Sequence, residues 1–382
     1  MKPRKKTASS TTAKLRPELA PLREGIDACD DQIITLLNRR ASLAQQIGAI
    51  KARAKVRAYV PERERQVLDR LVALSKGPLP EESLRQIYKE IISASLALES
   101  PLQIAFLGPE ATFTHAACKK HFGSSARLKT CSTIADVFEE VEHHRCEYGV
   151  VPIENSAEGL VHHTLETFIG SDLLICAEVL LPVNHHLLSN AADTEKVAKV
   201  YAHPEAVQDC QPWLDTHLAH ARLVDVSSTA RAVQLAAEDD TAAAVGIEMA
   251  ASLYNVPIVA RNLESSSGNF TRFLVIGHDE PTASDHDRTS LMFALKDAPG
   301  ILYTALQRLA RSRINLTRIE SRPARRRSWD YLFFIDIDGH RAEPNVAAGL
   351  EELAEMCVFM KVLGSYPQGK LQARRGGPGK EI

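Results

Sequence analysis

The sequence predicts a multidomain protein with an all-α first segment, an α/β middle segment and an α+β last segment in the ferredoxin-like βαββαβ order. Apolar residues recur at steps of three and four across 19–50, which is the spacing of one helix face. Across 102–277, short apolar runs alternate with helical patterns, as in repeated βα units. Across 288–366, the patterns give four strands and two helices.

Length, charge and cysteine content exclude several classes of protein. The 382 residues, 45% of them hydrophobic, can form two or three ordinary cores. No apolar run approaches the roughly 20 residues of a membrane helix, and a net charge of −2 argues against a nucleic-acid partner. Seven scattered cysteines without a CxxC pair indicate reduced cytoplasmic thiols rather than disulfides or a zinc site.

The two ends of the chain have the composition of tails. Residues 1–16 carry six basic and no acidic residues, without the apolar stretch of a secretory signal. We therefore predict a disordered basic tail there, with an organellar transit peptide as the weaker alternative. Residues 367–382 contain the run Arg374-Arg375-Gly376-Gly377-Pro378-Gly379 and are predicted to form a second flexible tail.

Arg40 interrupts the apolar face of the first helix. The other nine of ten positions on that face are apolar or cysteine, and a guanidinium in a packed seam is unfavourable unless an anion meets it. We therefore predict that Arg40 faces a ligand. Lys51 lies eleven residues further on the same face, although a lysine near a helix end is more often a solvated side chain.

Two shorter helices carry further polar groups on or beside apolar faces. Glu64 shares a face with apolar residues of a helix predicted over 62–74, and Ser95 and Glu99 lie one turn apart on a helix predicted over 80–99. Three helices, one of them very long, cannot enclose a core alone. We therefore predict a homodimer or higher homo-oligomer in which the long helices of two protomers pack together.

Motifs in the first hundred residues resemble the all-helical chorismate mutase domain. They are Leu22-Arg23-Glu24, Leu36-Leu37-Asn38-Arg39-Arg40, Lys51, Pro61-Glu62-Arg63-Glu64 and the segment from Ser95 to Glu99. The resemblance places this domain at 17–100 and implies rearrangement of chorismate to prephenate, a pericyclic step that needs positioning and charge rather than a nucleophile. The residues it implies for chorismate are an Arg23 contributed by the partner subunit, Arg40, Lys51, Arg63, Glu64, Ser95 and Glu99.

In this resemblance Lys51, Glu64 and Glu99 have catalytic roles. Lys51 and Glu99 flank the ether oxygen, and Glu64 holds the ring hydroxyl. Because a carboxyl group donates a hydrogen bond only when protonated, we expect burial to raise the pKa of Glu99. Val60 stands where some relatives have a polar residue, which removes one expected contact.

Two polar clusters at strand ends indicate one cleft in the middle segment. The first ends Gly149-Val150-Val151-Pro152-Ile153-Glu154-Asn155-Ser156, and the second is Asn269-Phe270-Thr271-Arg272-Phe273. A hydroxyl, an amide and a guanidinium at such a junction can hold a small anion and donate a proton to it. Either run alone is more often a polar turn. Hydroxyl residues at 112–114, 132–133 and 227–229 have the positions of helix N-caps.

Together these junctions resemble prephenate dehydratase over about 102–278. The resemblance implies two α/β lobes like those of periplasmic solute-binding proteins, the second at about 181–258. It implies conversion of prephenate to phenylpyruvate by loss of water and carbon dioxide without a cofactor. Thr271 would act on the departing hydroxyl and Glu154 would tune the site. The residues implied for binding prephenate are Asn155, Ser156, Thr229 and Arg272.

Two details of the middle segment bear on this resemblance. Ala111 replaces a glycine usual in the family's first motif, so we expect strain if that position needs positive φ. The adjacent histidine pairs at 143–144, 162–163 and 185–186 point to different faces of a regular element, which argues against a metal site.

The last segment, 288–366, resembles an ACT amino-acid-binding domain. Gly300-Ile301-Leu302-Tyr303 and Glu320-Ser321-Arg322-Pro323 match the two loops that bind phenylalanine in this family. The resemblance therefore implies feedback inhibition by L-phenylalanine. The residues it implies for that ligand are Gly300, Ile301, Leu302, Glu320, Ser321, Arg322 and Pro323.

The three domains in this order resemble the bifunctional chorismate mutase/prephenate dehydratase family. An alternative remains open at this point, namely an amino-acid-responsive binding protein whose catalytic domains are inactive. Arg40, Lys51, Glu64, Asn155 and Thr271 favour the enzyme, because a scaffold has little use for polar groups on apolar faces.

Overall fold

The computed structural model describes residues 8–54, 59, 61–156, 159–191, 193–264, 268–296, 298–323 and 331–369. They belong to two compact units, Met1–Pro101 and Leu102–Ile382. Within these ranges no helix has the length and apolar character needed to cross a bilayer.

The first unit consists of three helices. They are α1 (Ala8–Arg53), α2 (Pro61–Leu74) and α3 (Glu81–Glu99). Both α1 and α2 pack against α3. The helix α1 begins at Ala8, earlier than predicted, so residues 8–16 belong to it rather than to a tail. Residues 1–7 and Val60 lie outside the described residues.

The apolar face of α1 is largely uncovered within this unit. Leu22, Ile26, Leu36 and Ile50 on that face are each 60–66% exposed. A helix with an apolar stripe is stable in water only when another element covers the stripe.

The second unit alternates strands and helices. Its strands are β1 (Gln103–Leu107), β2 (Arg127–Cys131), β3 (Tyr148–Asn155), β4 (Gly159–Leu160), β5 (Leu174–Pro182), β6 (His186–Ser189), β7 (Lys199–Ala202), β8 (Arg222–Asp225), β9 (Ala242–Gly246), β10 (Ile258–Arg261), β11 (Phe270–Gly277), β12 (Asp287–Leu295), β13 (Leu316–Pro323), β14 (Tyr331–Asp338) and β15 (Cys357–Pro367). Its α-helices are α4 (Phe113–Phe122), α5 (Ile134–Glu142), α6 (His162–Gly170), α7 (Pro204–His217), α8 (Thr229–Ala237), α9 (Glu248–Tyr254), α10 (Ile301–Arg311) and α11 (Pro344–Ala354).

Two sheets form the predicted pair of α/β lobes. The first-lobe sheet has the order β2-β1-β3-β11-β5, with β4 on β3, and the second-lobe sheet has the order β10-β6-β9-β7-β8. The chain leaves the first sheet after β5 and returns to it with β11. Because β10 pairs with β6, the second lobe extends past the predicted end at residue 258. Pairing between segments about 70 residues apart in the chain gives no local signal.

The last four strands form an antiparallel sheet in the order β13-β14-β12-β15, which confirms the βαββαβ arrangement. Alternate residues point to opposite faces. Leu291 and Phe293 face α10 and α11, whereas Met292 and Phe334 pack into the core of the first lobe. The predicted tail starts too early, because Gly369 N still donates to Glu178 Oε1 at 2.7 Å. Residues 370–382 lie outside the described residues.

Candidate active sites

A cavity of about 350 Å³ lies between α1, α2 and α3. Its size is in the range of sites for small molecules. Six of the seven side chains predicted for chorismate line it, and they are Arg40, Lys51, Arg63, Glu64, Ser95 and Glu99. The Arg23 of this chain lies on an exposed part of α1 and is absent from the cavity wall.

Arg40 is oriented by uncharged groups of α3. Its Nη1 donates to Ser95 Oγ and, at 3.3 Å, to Ile91 O. The Ser95 hydroxyl in turn donates to Ile91 O at 2.7 Å. Among the residues that the structure describes, no carboxylate forms an ion pair with Arg40.

Two acidic residues, Glu64 and Glu99, line the cavity, and burial favours their protonated forms. Burial raises the pKa of Glu64, although Lys89 and Tyr59 oppose the shift. Burial also raises the pKa of Glu99, opposed by Lys51 and Arg40. Lys51 Nζ lies 3.7 Å from Glu99 Oε2, which is too long for a hydrogen bond. That oxygen is buried and accepts no hydrogen bond from the described part of the chain.

Gly48 determines how close α1 comes to Glu99. A Cβ atom built on Gly48 would lie 2.9 Å from both Cβ and Cγ of Glu99. No other residue type leaves this space, so the glycine allows Glu99 to reach the cavity.

The strand ends that were predicted to form the second site are adjacent. In the antiparallel ladder of β3 and β11, Thr271 pairs with Asn155. Ser156 Oγ accepts a hydrogen bond from Phe270 N at 2.9 Å and donates one to Asn269 Oδ1 at 2.8 Å. The Thr271 hydroxyl forms no hydrogen bond with any described residue, and the residue is 9% exposed.

Asn269 also connects this pair of strands to the second lobe. Its Nδ2 donates to Asp209 Oδ2 of α7 at 3.3 Å, and that oxygen lies 3.6 Å from His185 Nε2. His185 is buried, and its Nδ1 has no hydrogen-bond partner within the described ranges. Sequence reasoning did not select Asp209, because its partner Asn269 is 60 residues away.

The start of α8 brings Thr229 close to the first lobe. Ser228 caps this helix by accepting from Arg231 N at 3.1 Å, so Thr229 is the first helical residue rather than the cap. Its neighbour Ala230 shares an apolar cluster with Ala111 of the loop after β1. The predicted caps at 112 and 133 are confirmed by bonds from His115 N and Asp136 N.

Ala111 has the positive φ that the missing glycine suggested. Its φ is 60°, which costs an L-residue roughly 1–2 kcal/mol. Contact of its fully buried methyl group with apolar residues of the second lobe offsets part of this free-energy cost. Its N–H also donates to His115 Nδ1 at 2.9 Å, and burial lowers the pKa of that histidine so that it remains an acceptor.

Arg272, which was predicted to bind prephenate, makes its contacts here with side chains of the protein. Strand alternation directs its side chain to the face opposite Thr271. There Nε lies 2.6 Å from Glu178 Oε2, Nη1 lies 2.6 Å from Asp336 Oδ2, and Nη2 lies 2.8 Å from Tyr366 Oη. Each of the three guanidinium nitrogens therefore donates to a protein group on this face.

The two predicted phenylalanine loops differ in structure. Gly300 has φ 78° and caps α10, which begins with Ile301 and Leu302. Glu320, Ser321, Arg322 and Pro323 lie within strand β13 rather than in a loop. Arg322 Nε is 3.7 Å from Glu320 Oε1. Its Nη2 is buried and donates to no atom of the described residues.

The described residues contain no group of three or more histidine, cysteine or acidic side chains placed to hold a metal ion. The adjacent histidines make other contacts. His143 Nδ1 lies 2.8 Å from Glu139 O, and Asn262 N donates to His186 Nδ1 at 3.1 Å. All seven cysteines are described, and none forms a disulfide.

Three parts of the chain match three known domain families. Family models for chorismate mutase type II, prephenate dehydratase and the ACT domain match residues 22–100, 104–281 and 289–355. A crystal structure of prephenate dehydratase from Arthrobacter aurescens in complex with L-Phe is 32% identical, with a TM-score of 0.66 over 70% of this chain and 90% of that chain. The three domains therefore define a mutase and a dehydratase joined to an ACT domain.

Full-length relatives show the same combination of domains. The bifunctional chorismate mutase/prephenate dehydratase of Aquifex aeolicus is 48% identical over 359 residues, which cover 93% of this chain and 99% of the relative. That of Neisseria gonorrhoeae is 45% identical over 356 residues, which cover 92% and 98%. The chain belongs to the bifunctional chorismate mutase/prephenate dehydratase family.

Proposed function

We propose that this chain rearranges chorismate to prephenate in its helical unit and converts prephenate to phenylpyruvate in its α/β unit, under feedback inhibition by L-phenylalanine. The observation that carries the first activity is the convergence of six polar side chains on one cavity, with the charge of Arg40 left unneutralised by carboxylates of the described residues. That arrangement fits a dicarboxylate better than it fits a structural core.

In the proposed mutase reaction, Arg40 and Arg63 hold the substrate carboxylates and fix its reactive conformation. Lys51 and protonated Glu99 approach the ether oxygen, where negative charge develops as the carbon–oxygen bond breaks. Glu64 binds the ring hydroxyl. No covalent intermediate is needed.

A second copy of the chain completes this site in the proposal. The uncovered apolar face of α1, including Leu22 and Ile26 at 66% and 60% exposed, is suited to the same face of a partner. Arg23 follows Leu22 and would reach the partner's cavity. We infer a homodimer, and the reduced thiols are in keeping with a cytoplasmic protein.

In the proposed dehydratase reaction, the Thr271 hydroxyl donates a proton to the departing hydroxyl of prephenate and is itself reprotonated from solvent, because the overall reaction consumes one proton. The electron pair of the breaking bond to the carboxylate moves into the ring, and carbon dioxide and water leave. Asn155 and Thr229 bind the dianion, and Glu154 tunes the site from the adjacent strand position. Since the proton of Ser156 is already donated to Asn269, Ser156 fixes the strand ends and offers the substrate only an acceptor.

Regulation is proposed at β13 and the start of α10. Arg322 Nη2, which lacks a partner among the described residues, is suited to the carboxylate of phenylalanine. At the start of α10, Ile301 N donates to Ala298 O at 3.2 Å, and the next two backbone N–H groups lie in the first turn, where they have no acceptor within the helix. Binding that favours one arrangement of the ACT domain would lower dehydratase activity.

One assay tests the proposal. The full chain incubated with chorismate should form phenylpyruvate without added metal or cofactor. Arg40→Ala should abolish prephenate formation yet still convert added prephenate, whereas Thr271→Ala should accumulate prephenate. A wild-type chain that binds phenylalanine but turns over neither substrate would support the inactive binding protein instead.

A further inference from the structure

Three arginines and three carboxylates form one continuous cluster where the first-lobe sheet packs against the ACT sheet. The arginines come from β11, β12 and β13, and the carboxylates come from β3, β5 and β14. The members of this charged cluster are Arg272, Arg288, Arg318, Glu154, Glu178 and Asp336. Equal numbers of opposite charges make its burial tolerable.

Arg318 is the member that connects the ACT domain with the proposed dehydratase site. Its Nη1 lies 3.1 Å from Glu154 Oε2 and 3.9 Å from Asp336 Oδ2, and its side chain is 18% exposed. Glu154 precedes Asn155, which pairs with Thr271 across the ladder of β3 and β11. The Glu154 carboxylate points to the ACT side of the sheet, as does its ladder partner Arg272, so a guanidinium of the ACT domain holds the side chain whose backbone neighbour, Asn155, is proposed to bind prephenate.

The strand that carries Arg318 also carries residues proposed to bind phenylalanine. Arg318, Glu320 and Arg322 are two residues apart on β13 and so share one face. Arg318 and Glu320 both line a cavity of about 30 Å³ between the two sheets, which has room for about two water molecules. A ligand that moves Glu320 or Arg322 has space to move Arg318 with them.

We propose that Arg318 is a positioning residue for the dehydratase reaction and the point at which phenylalanine bound to the ACT domain affects that reaction. Arg318 does not touch prephenate. It acts by holding Glu154, and movement of β13 on ligand binding alters that hold. This inference rests on the proposed dehydratase activity and on its inhibition by phenylalanine.

The test compares Arg318→Gln with Arg308→Gln in the full chain. Arg308 is an ACT residue whose pair with Glu352, at 3.5 Å, lies on the helical side of the sheet. We expect Arg318→Gln to lower dehydratase kcat by about tenfold with a smaller change in KM, and to raise the phenylalanine concentration for half-inhibition by about fivefold or more. Arg308→Gln should change neither quantity, and Arg318→Lys should recover part of both.

A double-variant cycle with Glu154→Gln separates positioning from general damage. If Arg318 acts through Glu154, the loss caused by Arg318→Gln should largely disappear in the Glu154→Gln background. Additive losses, or an Arg318→Gln variant with wild-type kcat and phenylalanine response, overturn this inference alone. A wild-type chain with mutase but no dehydratase turnover overturns the proposed function and this inference with it.

Discussion

Lys51 Nζ and Glu99 Oε2 lie 3.7 Å apart in the wall of the helical cavity, close enough for attraction but too far for a hydrogen bond. Burial dominates the environment of the carboxyl group and raises its pKa. A protonated carboxyl group can donate to an ether oxygen, whereas a carboxylate can only accept. We therefore expect this pair to make the mutase reaction dependent on pH.

We predict that mutase kcat/KM falls as the pH rises through the raised pKa of Glu99, because the donating form is lost. Glu99→Gln supplies an amide donor at every pH and should flatten this part of the profile. Measurement of initial rates from about pH 5 to pH 9 in both proteins checks it. A wild-type profile without this fall, or an unchanged slope in the glutamine variant, would refute the role of Glu99.

Gly48→Ala should reduce mutase activity by about tenfold or more, because the new methyl group would lie 2.9 Å from Glu99 Cβ and displace that side chain. The helix itself should gain up to about 1 kcal/mol in intrinsic stability. Because overpacking costs about 1–3 kcal/mol and offsets this gain, we expect a lower kcat/KM in a variant that is still folded at the assay temperature.

Gly77→Ala is the matched control for this prediction. A Cβ atom at Gly77 meets no other atom within 4 Å, so both activities should remain unchanged. The dehydratase activity of Gly48→Ala reports independently on the rest of the chain. Wild-type mutase activity in Gly48→Ala would mean that α1 can move away from Glu99 without loss of activity, which would contradict this role of Gly48.

The parts of the fold that repeat a local pattern were predictable from the sequence. The period of three and four in α1 and the alternation in β12, where Leu291 and Met292 face different layers, depend on neighbours in the chain. The anomaly of Arg40 on an apolar face was also local, and it pointed to a cavity that the structure contains.

The parts that depend on distant partners were not predictable. Nothing next to Arg272 reveals that Asp336 and Tyr366, 64 and 94 residues away, occupy its nitrogens. Arg318 was overlooked because it lies in a strand with many polar residues. The pairing of Asn269 with Asp209 likewise joins two lobes whose approach is decided by tertiary packing.

Asp209→Ala should lower dehydratase kcat/KM by about tenfold while mutase activity stays unchanged. The substitution removes the acceptor of Asn269 Nδ2, which frees the amide that in turn fixes Ser156 and the ends of β3 and β11. Asp215→Ala on the same helix is the control, since Asp215 accepts only from exposed Gln211 at 2.6 Å. Equal effects of the two substitutions would exclude a role for this link between lobes.

Arg272→Gln should lower the free energy of unfolding of the second unit by about 3–5 kcal/mol at neutral pH. The substitution removes the arginine hydrogen-bonded to buried Asp336, which keeps only Arg318 at 3.9 Å, and leaves buried Glu178 with Arg288 alone. Arg261→Gln is the control. Its pair with Glu248 has a similar distance, 2.9 Å, but the side chains are 57% and 65% exposed. Such a surface pair contributes at most about 1 kcal/mol. Urea unfolding of wild type and both variants, followed by a signal from the second unit, measures the difference in free energy of unfolding.

The pH dependence of that difference identifies its cause. Burial would raise the pKa of Asp336, but Arg272 holds it below its ordinary value, so in the wild type the carboxylate stabilises the fold until the pH falls through this lowered pKa. Without Arg272, burial should raise the pKa of Asp336 above its unfolded value of about 3.9. The charged Asp336 then lowers the free energy of unfolding of the variant at neutral pH, and this loss disappears as Asp336 takes up a proton. The difference in free energy of unfolding between wild type and Arg272→Gln should therefore become smaller as the pH falls from about 7 to about 4. A difference that stays constant or grows on acidification would mean that lost packing, not an unpaired charge, destabilises the variant.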